Sequence, residues 1–163
     1  MQKNVHWLSP VLRQNPHAVA HVRGSDDYPE IQGIVQFYQT RRGVLVTADF
    51  TGLPEPEESC ASPIFGFHIH EGARCSGTAE APFDDAGSHW NPDDCLHPYH
   101  AGDLPPLFGN HGRAFLAVLT DRFHAGDLPG KTVILHGSPD DFTTQPAGNA
   151  GIRIACGEIR WNR

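Results

Sequence analysis

Residues Gly66-Phe67-His68-Ile69-His70, followed by His89, His97, His100-Ala101-Gly102-Asp103 and His136, supply enough ordered ligands for two metal sites that share one histidine. Two histidines one residue apart on an extended segment project from the same face, so His68 and His70 can reach a single ion. Imidazole suits copper and zinc, and the chemistry this points to is that of a metal redox enzyme. A nucleophile elbow or a His-Glu-x-x-His helix, the marks of a hydrolase, does not occur in the chain.

Side chains so far apart in sequence need a rigid frame, and the apolar pattern supplies short strands. Runs at Ala18–Val22, Ile31–Tyr38, Val44–Phe50, Ile64–His70, Ala114–Leu119, Lys131–His136 and Ile152–Ile159 are rich in β-branched and aromatic residues and flanked by Gly, Pro, Asn and Asp. None has a helical period. Gln39–Gly43 and Gly109–Gly112 read as hairpin turns. An antiparallel sandwich or barrel of about eight strands fits this spacing. Residues 71–102 and 137–151 lack strand pattern, and loops of such length need a metal, a disulfide or a function to order them. Each begins directly after a candidate ligand. Residues 1–16 read as a loosely attached extension in which Pro10 and Pro16 discourage regular structure, with Trp7 available to dock on the body.

The chain has 163 residues, enough for one well-buried domain. Its net charge of −7, with 12 Lys plus Arg scattered singly, offers no basic stripe for nucleic acid or an anionic membrane. No segment approaches the apolar length needed to cross a bilayer, and the N-terminus reads as no secretion signal. Cys60, Cys75, Cys95 and Cys156 show no Cys-x-x-Cys spacing, so a disulfide is favoured over a zinc knuckle. A disulfide implies an oxidising compartment while the lack of a signal suggests the cytoplasm, and localisation stays open between them.

Gly-Phe-His-x-His at 66–70, Gly-x-His-x-Asn-Pro at 87–92, His-x-Gly-Asp-Leu at 100–104, the strand-final His136 and Gly148-Asn-Ala-Gly-Ile-Arg-Ile-Ala-Cys-Gly157 follow one another in a fixed order. In this the chain resembles the copper/zinc superoxide dismutases, from about residue 17 to about residue 160. The resemblance implies an all-β fold, an eight-stranded antiparallel Greek-key β-barrel or sandwich with two long metal-site loops, over residues 17–163. It implies copper on His68, His70, His89 and His136, and zinc on His89, His97, His100 and Asp103. Four nitrogens suit tetragonal copper(II), and three histidines with a carboxylate make a closed, structural zinc set. His89, bridging the two ions, would hold and release a proton. The activity implied is conversion of superoxide to dioxygen and hydrogen peroxide.

By the same resemblance Asp140 is the carboxylate that orients one copper and one zinc ligand, with Asp141 the alternative. Arg153 is the active-site arginine that attracts superoxide. Cys75 and Cys156 form the disulfide that ties the metal loop to the last strand, while Cys60 and Cys95 are suggested as a second bridge or left as free thiols. His124-Ala-Gly-Asp127-Leu-Pro129 repeats residues 100–105 letter for letter, but lacks partner ligands nearby in sequence and is expected not to bind zinc.

Both metal-site loops are shorter than is common in the family, and the second has no lysine to steer an anion, so Arg153 carries that role and association is expected to be slower or less salt-sensitive than in well-steered members. The competing readings are a non-catalytic copper-buffering member and a zinc-only structural domain of the same fold. Oligomeric state, a homodimer included, and the source of copper are not fixed by the sequence.

Overall fold

The computed structural model describes residues 7–57 and 63–163. Alternating burial shows why the predicted runs are strands. Ala18, Ala20 and Val22 of β1 (Ala18–Gly24) face the core, while His21 and Arg23 face outward. β2 (Gln32–Thr40) and β3 (Gly43–Thr51) form a hairpin in which Thr40 stands opposite Gly43, and that glycine takes a φ of 124°. The remaining strands are β4 (Ile64–His70), β5 (Asp103–Phe108), β6 (Arg113–Thr120), β7 (Thr132–His136) and β8 (Arg153–Trp161). They pair antiparallel in the order β5-β4-β7-β8-β1-β2-β3-β6, and the two end strands β5 and β6 approach each other, so the sheet curls into a nearly closed eight-stranded barrel. Its interior holds Phe37, Phe50, Phe67, Ile69, Leu135, Ile154 and Ile159, with Phe50 edge-on to Phe67 at 6.1 Å.

Two departures from the sequence reading stand out. β5, Asp-Leu-Pro-Pro-Leu-Phe, was absent from the apolar runs because Pro105 and Pro106 argue against a strand. The two prolines are tolerated because they sit at a bulge, both opposite Gly66 where the β4–β5 register shifts, on a strand whose other side is a free edge. The second departure is a short helix, α1 (Leu8–Leu12), which contains Pro10 in its first turn, the position where a proline costs no helical hydrogen bond. Trp7 does contact the body, its ring lying 5.3 Å from the Arg42 guanidinium carbon.

The two segments without strand pattern leave opposite ends of the β4–β7 pair, after His70 and after His136, and both return to bond the main chain of β4. A disulfide joins Cys75 to Cys156 across 81 residues, with Cα atoms 5.7 Å apart. Closing so large a loop contributes about 4.5 kcal/mol in the chain-entropy view. Cys95 is exposed and outside any disulfide among the described residues; the suggested bridge to Cys60 lies outside them. No helix among the described residues is long and apolar enough to cross a membrane.

Candidate metal centre

Strand alternation places the first ligands. Phe67 and Ile69 of β4 point into the core, so His68 and His70 point to the opposite face, beneath the two long loops. β7 lies beside β4 and ends in His136, which therefore rises next to them. His89 returns to the same place through a bridge to His70, and His68 stands in register with Asp103 at the start of β5. The loop carrying His89 is stitched to β4 by main-chain bonds from Ile69 to Gly102 (2.8 Å) and from Trp90 to Ile69 (2.9 Å). Gly102 must be glycine there, because a Cβ would collide with the Ile69 carbonyl.

Two clusters result, and each gathers one ligand atom per residue within 4.8 Å of all the others: His68, His70, His89 and His136, and His89, His97, His100 and Asp103. All seven residues are buried. These are the two groups expected from the sequence, and they share His89.

The hydrogen bonds show which nitrogen each ring turns inward. Asp140 accepts from His68 Nε2 at 2.7 Å and from His97 Nε2 at 2.9 Å, leaving both Nδ1 atoms facing the clusters. His70 Nδ1 donates to the Gly87 carbonyl at 2.9 Å and His136 Nδ1 to that of Gly151 at 3.2 Å, so their Nε2 lone pairs face each other at 3.4 Å. His68 Nδ1, His89 Nε2, His97 Nδ1 and His100 Nδ1 are buried without any hydrogen-bond partner. Asp103 Oδ2 lies 3.0 Å from His97 Nδ1 and 3.2 Å from His100 Nδ1, yet neither nitrogen is aligned to donate to it. Buried polar atoms are rarely left unpaired, and converging lone pairs with no donor are what a cation satisfies. The donor sets, four imidazoles on one side and three imidazoles with a carboxylate on the other, fit copper and zinc.

Electrostatics agree with this picture. Burial, reinforced by neighbouring histidines, pushes His136 down to about 3 and His70 well below its ordinary value; burial also lowers His68 against the pull of Asp140. Neutral imidazole is the form that ligates. Burial works against charge on Asp140, but bonds from His68, the Phe142 amide and His97 together hold its carboxyl well below the usual range. Asp141 is exposed and spends its oxygens on the amides and hydroxyls of Thr143 and Thr144. Arg153, paired with His136 across β7 and β8, donates to the carbonyls of Phe83 (2.6 Å) and Gly87 (2.7 Å). Gly87 is thus shared between the guanidinium and His70.

Several contacts at the site had no sequence signal. Gln145 forms a two-point amide pair with the His97 main chain, accepting from its N–H at 3.0 Å and donating to its carbonyl at 2.7 Å. Arg122, from the β6–β7 connection, donates to three carbonyls of the His97–Asp103 segment. Neither lies within a recognisable motif. His124 and Asp127 are exposed and belong to neither cluster.

Comparison with known proteins supports the same conclusion. Residues 31–159 match the family model described as copper/zinc superoxide dismutase. The superoxide dismutase [Cu-Zn] 2 of Aquifex aeolicus is 33% identical over 159 residues, covering 86% of this chain and 86% of that protein. The superoxide dismutase [Cu-Zn] of Legionella pneumophila is 36% identical over 139 residues, covering 81% and 80%, and that of Neisseria meningitidis is 35% identical over 144 residues, covering 78% and 73%. With seven buried candidate ligands gathered around a shared histidine on the outer face of its barrel, and matched along most of its length, the chain belongs to the copper/zinc superoxide dismutase family.

Proposed function

We propose that this chain converts two superoxide ions and two protons to dioxygen and hydrogen peroxide, with copper held by His68, His70, His89 and His136 and zinc held by His89, His97, His100 and Asp103. When bound, copper supplies the one-electron redox chemistry and zinc a fixed charge on the far side of His89. The observation that carries this reading is the pair of clusters sharing His89, in which His68 Nδ1, His89 Nε2, His97 Nδ1 and His100 Nδ1 are buried with no hydrogen-bond partner.

The chain's own residues divide the remaining work. Asp140 holds His68 and His97 in the tautomer that presents Nδ1 to the two sites, coupling their geometry through one carboxylate. His89 carries a nitrogen on each side, and its Nε2 is the atom at which a proton is taken up and handed to reduced oxygen. Arg153 keeps a positive charge beside His70 and His136, anchored by the carbonyls of Phe83 and Gly87 so that it points rather than wanders. Residues 137–151 contain no lysine, so on a chain of net charge −7 the guanidinium is the local attractor for a small anion. The Cys75–Cys156 disulfide supports placement in an oxidising compartment. Residues 17–163 are taken as the catalytic domain and 1–16 as an appended segment.

The test is stopped-flow superoxide decay with protein reconstituted with zinc and copper, beside His136→Ala. Fast, copper-dependent decay that the variant loses is the expected result. Decay no faster than buffer with both metals bound would replace catalysis with copper storage. Arg153→Ala should lower the rate and flatten its salt dependence; a steep salt dependence that survives the substitution would remove Arg153 from the steering role.

A further inference from the structure

Of the segment that supplies three of the four zinc-set residues, His97 to Asp103, only Asp103 lies in a strand. Its carbonyls must still find donors or face water. Three of them converge on a single side chain from elsewhere: Arg122 Nη1 lies 3.1 Å from the Pro98 carbonyl, 3.1 Å from that of His100 and 3.0 Å from that of Asp103. Two of those three carbonyls belong to residues of the zinc set itself.

Arg122 is itself well placed to hold. It sits just after β6, where its own amide donates to Thr120 Oγ1 at 3.3 Å, and the next residue, Phe123, is buried against Trp90 with ring centroids 5.8 Å apart. Trp90 directly follows His89, and its other neighbour is the Lys131 ammonium, 4.6 Å from the ring centroid. The β6–β7 connection is therefore fastened to both ends of the His89–Asp103 segment, by an aromatic pair at one end and a guanidinium at the other.

We propose that Arg122 is a positioning residue for the zinc set: it fixes the main chain of His100 and Asp103 so that the His100 ring and the Asp103 carboxylate meet His89 and His97 without reorganisation when the ion arrives. The inference rests on the reading of those four residues as the zinc set. A guanidinium suits the task, being planar and permanently charged, with the two N–H groups of Nη1 shared among the three converging carbonyls. Its charge also lies behind the Asp103 and His100 carbonyls rather than among the ligands, so it aligns the segment without competing for the ion.

The experiment uses the holoprotein loaded with copper and zinc. Zinc release to a chromophoric chelator is timed while the visible copper band is followed in the same sample, for wild type, Arg122→Gln and Arg122→Lys. Zinc release about tenfold faster or more in Arg122→Gln is expected, with copper release within twofold of wild type, unchanged far-ultraviolet circular dichroism, and partial recovery in Arg122→Lys. Zinc release within twofold of wild type in Arg122→Gln would overturn the proposal. So would equal acceleration of copper and zinc release with a lowered Tm, which is the mark of general structural support. Should Arg122→Gln fail to fold, Arg122→Lys alone decides, since it keeps the charge and loses the planar fork; wild-type zinc release in that variant would overturn the assignment. A wild-type protein that takes up copper but no zinc would instead remove the zinc reading on which the inference stands.

Discussion

Residues 100–105 and 124–129 are the same hexapeptide, His-Ala-Gly-Asp-Leu-Pro, and they fold locally in the same way. In each, the aspartate carboxylate accepts from the histidine amide, at 3.0 Å in the first copy and 2.9 Å in the second. The aspartate amide returns to the histidine carbonyl at 3.2 Å and 3.0 Å, and the leucine is buried in the barrel core in both. Only the surroundings differ. His100 and Asp103 are buried and meet His89 and His97, whereas His124 and Asp127 face solvent at the edge of a 3-10 turn. The glycines differ too: Gly102 is pressed against Ile69, while a Cβ at Gly126 would meet nothing nearer than Trp161 at 3.7 Å. Six residues are enough to specify a turn, but a metal site needs donors that only a tertiary fold can deliver to it. The second copy is not idle, because Arg122 and Phe123 immediately before it brace the loop that contains the first.

Substitutions at matched positions test this contrast. His100→Ala should lower zinc affinity by a factor of about 1,000 or more, since one of four ligands is lost, and His124→Ala should leave it within twofold; competition against a chromophoric chelator measures both. Equal losses would end the comparison. At the glycines, Gly102→Ala should cost about 3 kcal/mol or more in urea unfolding, because the new methyl must displace β4 backbone. Gly126→Ala should be neutral, or stabilising by up to ~1 kcal/mol. Asp140→Asn should cost about 10–100-fold in metal affinity or activity, with Asp141→Asn near wild type, which separates the carboxylate that orients two ligands from its solvent-facing neighbour.

The metal-free protein should also show a pH dependence. His136 titrates at about 3 when folded against 6.5 as the ordinary value, and His70 and His68 are lowered as well. Between those limits the unfolded chain binds more protons than the folded one, so stability must fall as the pH falls, by up to about 1.4 kcal/mol per unit from His136, with His70 and His68 acting in the same direction. His136→Ala should reduce that slope, which urea titrations from pH 7 to pH 4 would show.

Much of the centre was legible because its ligands are a few residue types at ordered spacings. His68 and His70 declare a shared face by period-two alternation, and Arg153 stands at a fixed place within a recognisable motif, whereas Asp140 and Asp141 are adjacent acids that the sequence does not separate. β5 carries no apolar run because its two prolines contradict strand propensity, and only a bulge against β4 and its place at the end of the ladder make them tolerable. Gln145 and Arg122 were hidden for another reason: each satisfies main-chain groups of a segment far away in sequence, and a carbonyl accepts from any donor, so no residue pattern announces the pairing.

By itself the sequence determined which side chains could bind metal, the strand periodicity that would carry most of them, and the turn built by each copy of the hexapeptide, since these depend on residue type and local backbone geometry. Tertiary structure alone decided which copy came to lie against His89 and His97, which aspartate came to bridge His68 and His97, and which distant side chains contact the loop. Each of those outcomes depends on groups converging in space from separate strands and loops, and on burial removing the water that would otherwise satisfy them.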